Sequence, residues 1–320
     1  MSKAVLHIGT HKTATTLLQN VLAENRPILE QNNIVYPTIG RFNGHHMLAS
    51  EWIAINRSYQ PAGGHDKIWQ YLVDTYADSD KTIVLSSEEF SRAYPTRVNM
   101  VEIRERLSAF DQVEVICLLR DQKSFLQSIY LEISKQRNPK PPELMLKEAK
   151  VDHLADGLWL DYNMLYDHLL TGFSKDEITF VPFNKAIRCE GGVLGCFLQL
   201  LGFALSADVL NGEKKHTNIS GDPLKTWAAN MISKPKPASE EMLKFAGKKL
   251  EDLFGSPLKT TLFTPDEVLR LAETFDPLNH LLSSRLVGQQ PEFELPCITF
   301  ENDMPHRGKL PASFLSEIPS

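Results

Sequence analysis

The stretch Ala4-Val5-Leu6-His7-Ile8-Gly9-Thr10-His11-Lys12-Thr13-Ala14-Thr15-Thr16-Leu17-Leu18 decides the architecture. Its first five residues form an apolar run that predicts a strand. Leu17, Leu18, Val21 and Leu22 then fall at helical spacing. A strand that feeds a helix through a Gly/Thr turn aims backbone N–H groups at one point, where the helix dipole favours an anion. The plainer reading is an ordinary turn in which Thr13 caps the helix. The density of hydroxyls and the lysine inside the turn favour a phosphate site made by Gly9, Thr10, His11, Lys12, Thr13, Ala14, Thr15 and Thr16.

The loop differs from that of nucleotide triphosphatases, which read GxxxxGK[ST]. With Gly9 aligned to the first glycine, Ala14, Thr15 and Thr16 stand where Gly, Lys and Ser/Thr belong, and Lys12 comes three residues too early. The lysine for β/γ-phosphates is missing. Such a loop suits a ligand with one 5′-phosphate and a reactive group beside it, which argues against a kinase or ATPase.

Further strands are predicted over Ile34-Val35-Tyr36, Thr82–Leu85, Val113–Leu119 and Ile178–Phe183, with helices around Val98–Leu107, Tyr162–Leu170 and 191–201. Strands alternating with helices predict βαβ units and a mostly parallel sheet covered on both faces. The expectation is one α/β domain over 1–285, with helical insertions at 37–80 and 138–175 and a helical C-terminal part at 222–285. Residues 286–320 read as a Pro-rich arm.

Composition narrows the class. The 320 residues are 42% hydrophobic and 23% charged, which is globular. A net charge of −6 argues against generic nucleic-acid or anionic-membrane binding. Cys117, Cys189, Cys196 and Cys297 form no CxxC pair, so neither a disulfide framework nor a zinc site is expected. No apolar run approaches a membrane span, and the first strand starts too early to leave room for a signal peptide. A cytoplasmic, reduced protein is expected.

The motif Gly-Thr-x-Lys-Thr-x-Thr-Thr after the first strand resembles the 5′-phosphosulfate loop of the sulfotransferase superfamily, whose bacterial members it is most like. These enzymes use 3′-phosphoadenylyl sulfate (PAPS) as donor. The resemblance implies a P-loop-type three-layer αβα fold. It also implies an Arg ending a later strand with a Ser eight residues on, both gripping the 3′-phosphate, and Arg120 and Ser128 have that spacing. The planar guanidinium fork matches a dianion, and the hydroxyl adds a donor. Asn218-Ile219-Ser220, after Lys214-Lys215, is similar to a segment over the nucleotide and makes Asn218 and Ser220 candidates; a solvated basic loop is the other reading. His306-Arg307-Gly308-Lys309 resembles an Arg/Gly lid in a different order and is not assigned to the site.

Sulfuryl transfer needs a cation on the bridging oxygen, donors on the sulfuryl oxygens and a base for the attacking hydroxyl. Lys12 suits the first role. For the base, Glu88 after Leu85-Ser86-Ser87 resembles the catalytic Glu of glycan sulfotransferases; Glu89 is its neighbour and His46, in Gly44-His45-His46, its rival. His11 is expected to orient the loop or line the cleft. No metal is expected, because a donor with one 5′-phosphate has no β/γ bridge to hold Mg²⁺. The acceptor is read as a small molecule or a carbohydrate hydroxyl. Trp52, Tyr59, Trp69, Tyr94 and Tyr130 are either cleft residues or core. A P-loop kinase-like phosphotransferase and a non-catalytic nucleotide-binding protein are the alternatives.

Overall fold

Residues 1–203, 206–210, 221–256 and 259–315 are described in the computed structural model. The apolar runs become five parallel strands: β1 (Lys3–His7), β2 (Ile34–Val35), β3 (Thr82–Ser86), β4 (Gln112–Leu119) and β5 (Ile178–Pro182). They lie in the order β2-β3-β1-β4-β5. Leu6 sits opposite Leu85 on one side and Val115 on the other, and Cys117 opposite Phe180. After β1 the chain builds β2 and β3 on one side, then crosses β1 to lay down β4. The carboxyl end of β1 is therefore a topological switch point, where open α/β sheets form their ligand crevice.

The helices, numbered along the chain, begin with α1 (Thr15–Glu24), α2 (Arg26–Gln31), α3 (His65–Tyr76) and α4 (Met100–Arg106). Next come α5 (Gln122–Ile133), α6 (Pro142–Asp152), α7 (Tyr162–Leu169), α8 (Phe183–Ala186) and α9 (Gly192–Leu200). The last are α10 (Pro223–Ser233), α11 (Glu240–Phe254) and α12 (Pro265–Leu286). Among the described residues no helix is long and apolar enough to cross a membrane.

The chain divides into two compact units, where one domain over 1–285 and a separate arm are expected. The first holds residues 1–120, 157–218 and 278–296 and carries the sheet. Leu18, Val21 and Leu22 of α1 join Val193, Leu194, Phe197 and Leu198 of α9 in one core on Val5, Val84, Ile116, Leu118 and Val181. Alternate strand residues point the other way, and Leu6, Leu85, Val115 and Cys117 are just as fully buried. There Tyr166 of α7 stacks edge-on against Phe180, ring centres 5.6 Å apart. Helices thus cover both sheet faces, the three-layer arrangement expected from strands that are largely apolar.

The second unit comprises 121–156, 219–277 and 297–320. It has its own core, in which Leu224, Ala228 and Ala229 of α10 meet Ala246 and Leu250 of α11 together with Phe314. Asp222 caps α10 by accepting from the Lys225 N–H at 2.6 Å and from Thr260 Oγ1 at 2.8 Å. Arg307 pairs with Glu267 and, at 2.9 Å, with Glu143, so the lid-like 306–309 segment is tied down inside this unit. Beyond Leu286 the described residues of the Pro-rich arm form no α-helix, yet Phe293 and Leu295 bury in the first unit and Ile298 and Phe314 in the second. Apolar side chains spaced along it pin an irregular backbone in place.

Leu22 has no exposed surface in the shared α1/α9 core. Leu22→Ala leaves a cavity under the helix that follows the Gly9–Thr16 loop, and should cost about 2–5 kcal/mol in urea unfolding.

Candidate functional site

The loop after β1 is stitched to β4 by main-chain bonds. Ile8 N–H donates to the Ile116 carbonyl at 3.0 Å, Thr10 N–H to the Leu118 carbonyl at 2.9 Å, and Leu118 N–H to the Gly9 carbonyl at 2.5 Å. Gly9 has φ +85°, and a Cβ there would lie 2.9 Å from Glu88 Cβ. Both facts require glycine. Lys12 and Ala14 also hold left-handed φ of 62° and 64°, an unfavourable conformation for residues with a side chain. Strain of this kind at the mouth of a sheet is a mark of functional backbone.

The capping alternative does not hold. Thr13 Oγ1 donates to the Thr10 carbonyl at 2.6 Å, closing the loop on itself. Ala14 occupies the N-cap position of α1, with no side-chain cap. The start of α1 is therefore left open to an acceptor from outside the chain.

The end of β3 supplies the acids. Ser87 caps the short turn Glu88–Ser91 by accepting from the Glu89 N–H, so neither glutamate is the cap. Glu89 is bound by Arg92 Nε at 2.6 Å and has His11 Nε2 at 4.0 Å. Glu88 turns the other way: its Oε2 accepts from Gln19 Nε2 at 3.0 Å and lies 3.9 Å from His46 Nδ1. Burial pushes the Glu88 carboxyl up, but His11, His46, its own backbone N–H and Gln19 together hold it below the ordinary carboxylate value. At neutral pH it is ionised.

The paired histidines have different tasks. His45 Nδ1 accepts from the Ser86 N–H at 2.9 Å, so its proton resides on Nε2, which donates to the Pro37 carbonyl at 2.9 Å. Its own N–H donates to the Ser86 carbonyl at 2.7 Å. His45 is a buried joint between loop and sheet. His46 lies at the acids, with Nδ1 2.8 Å from Ser87 Oγ and its ring 5.2 Å edge-on from Tyr59.

Arg120 follows β4. Its Nη1 donates to the Lys12 carbonyl at 3.2 Å, and its guanidinium stacks over Phe183 at 5.4 Å. Tyr162 Oη donates to the Arg120 carbonyl at 2.5 Å. The switch point thus brings together the Gly9–Thr16 loop, Glu88, Glu89, His46 and Arg120. Ser128 sits buried on α5 of the second unit. Asn218 and Ser220, with Lys214 and Lys215, lie outside the described residues. Of the aromatic candidates, Trp69 and Tyr130 are core, Trp52 packs under Arg106, Tyr94 is 64% exposed, and Tyr59 borders His46.

Four residues escaped the sequence reading: His7, Gln19, Ser86 and Phe183. His7 Nδ1 lies 2.8 Å from Ser86 Oγ, and Gln19 reaches both Ser86 and Glu88. Gln19 offered one signal, a polar residue set between the apolar pairs Leu17-Leu18 and Val21-Leu22.

No family model and no curated protein matches the chain. Among solved structures, a sulfotransferase from Alicyclobacillus acidocaldarius is similar at a TM-score of 0.47 and 14% identity, over 88% of this chain and 94% of that one. Mouse sulfotransferase SULT7A1, solved with PAP, gives 0.41 and 13% over 91% and 89%. A sulfotransferase domain from the curacin biosynthetic pathway gives 0.36 and 14% over 92% and 99%. At such scores the chemistry of the site is argued from its own side chains.

Burial holds His7 and His45 down at about 4 against an ordinary 6.5. Both stay neutral in the folded chain while the unfolded chain takes up protons below 6.5. The stability they contribute is therefore complete above pH 6.5 and is lost as pH falls towards 4, at about 1.4 kcal/mol per pH unit for each. Urea midpoints should drop steeply from pH 6.5 to 4.5, and His45→Gln, less stable at pH 7.5, should show a shallower slope.

Proposed function

We propose that this chain transfers a sulfuryl group from PAPS to an acceptor hydroxyl, with a carbohydrate as the acceptor class. One observation carries the reading: Glu88, whose carboxyl is held in its ionised form, lies with its Cα and Cβ against the first glycine of a loop whose lysine precedes the triphosphate position. A base and a 5′-phosphate site are thereby neighbours.

In this reading the backbone and hydroxyls of Gly9–Thr16 hold the 5′-phosphate. Arg120, beside the loop, takes the 3′-phosphate, with Ser128 as second donor on its sequence spacing and Asn218 and Ser220 as cover over the nucleotide. Glu88 accepts the proton of the acceptor hydroxyl. The new bond forms between that oxygen and sulfur as the bond from sulfur to the bridging oxygen breaks. Lys12 neutralises the charge that collects on the departing 5′-phosphate. His46 stands beside Glu88 and favours its ionised form. The Lys12 carbonyl, gripped by Arg120, links the residues for the two phosphates.

Calorimetry with adenosine 3′,5′-bisphosphate, ADP and ATP tests the donor. Preference for the bisphosphate, lost in Arg120→Ala, is expected; equal or better binding of ATP with Mg²⁺ would overturn the assignment and favour a kinase. With PAPS and a carbohydrate acceptor panel, Lys12→Ala should lower kcat by about 10²–10³ while bisphosphate binding changes far less. Glu88→Gln should lower kcat by about 10²–10⁴, as expected for removal of a general base.

A further inference from the structure

Gln19 lies on α1, early in the helix that the phosphate loop opens, and is 4% exposed. A buried primary amide can face either way, and its neighbours decide. Around Nε2 stand Glu88 Oε2 at 3.0 Å, Ser86 Oγ at 3.3 Å and the Ser86 carbonyl at 3.5 Å. A carboxylate and a carbonyl only accept, so the NH₂ end must point at them.

The anchor of that amide is itself fixed. Ser86 Oγ is 2.8 Å from His7 Nδ1 on β1, and the Ser86 N–H and carbonyl are both bound to His45. On the far side, a Cβ at position 44 would come 2.7 Å from Gln19 Oε1 and 2.6 Å from His46 Nε2. Gly44 therefore lets the loop close on both side chains. Gln19 is clamped between a fixed serine and a tight loop, with one strong outlet, the Glu88 carboxylate.

We propose that Gln19 is a positioning residue for Glu88: its amide aims the carboxylate and keeps it in the charged, proton-accepting form. The proposal rests on the sulfuryl-transfer reading for its consequence in turnover, but not for its effect on Glu88. Hydrogen bonding to the charged form of an acid favours that form, and bonds to ions are the stronger kind. The other groups facing Glu88 are His7 from β1, His11 from the loop, His46 from the 45–48 segment and Tyr36 after β2. Glu89 next to it is engaged by Arg92. Gln19 donates from α1, the helix that also carries the start of the anion site. It ties the base to the loop that would hold the donor.

The test follows the Glu88 carboxyl directly, by ¹³C NMR of glutamate-labelled full-length protein, assigned by comparison with Glu88→Gln. In Gln19→Leu the Glu88 titration should move up by about half a unit or more. In parallel, kcat with PAPS should fall about tenfold or more and its acid limb should move up with the titration, while bisphosphate affinity and KM for PAPS change little. Ser86→Ala, which removes one anchor of the amide, should shift Glu88 in the same direction by less. If Gln19→Leu fails to fold by circular dichroism, Gln19→Asn, whose shorter amide falls short of Glu88, is read in its place. A Glu88 titration unchanged in the folded variant overturns the proposal. A Glu88 titration shifted in Gln19→Leu, together with no sulfuryl transfer by the wild-type protein, upholds the positioning and rejects the reaction.

Discussion

The three main-chain bonds from Ile8, Gly9 and Thr10 to Ile116 and Leu118 of β4 are the constraint on which the site depends. They make the turn a continuation of the sheet. Because β4 ends one residue later at Leu119, the same stitching sets where Arg120 begins. Because β3 flanks β1 on the other side, it also sets how closely Glu88 approaches Gly9. One glycine, without which the turn could not lie against Glu88, joins the cationic and the acidic halves of the crevice.

Charge is managed there by neighbours more than by solvent. Two carboxylates stand side by side after β3, yet each is committed to a different set of partners. Glu89 is bound to Arg92, while Glu88 has a neutral amide and an imidazole at hand. Neighbouring like charges held by separate partners need not share a proton, so Glu88 can remain ionised beside Glu89.

The sheet was legible in the sequence because parallel strands covered on both faces must be largely apolar, and the runs at Ala4–Ile8, Thr82–Leu85 and Val113–Leu119 are, broken by His7, Thr82 and Glu114. The loop was legible because its hydroxyls and lysine are contiguous. The division into two units was not: it comes from Leu224, Ala228, Leu250 and Phe314 finding one another across some ninety residues, which no local pattern records. Pro277 stands inside α12 without ending it. A helix held by packing on its apolar side survives the loss of one internal bond. Gln19 and His45 were missed as partners of Ser86 for the same reason as the second core: their significance lies in residues 67 and 41 positions away.

His45 illustrates how two identical neighbours diverge once folded. Both of its ring nitrogens are spent on main-chain groups, one on Ser86 and one on Pro37. Taking up a second proton would force the imidazole to let go of the Ser86 amide, loosening the seam between strand and loop. Proton traffic at position 45 is therefore a structural event, and exchanging the roles of the twin imidazoles would mean rebuilding the crevice wall.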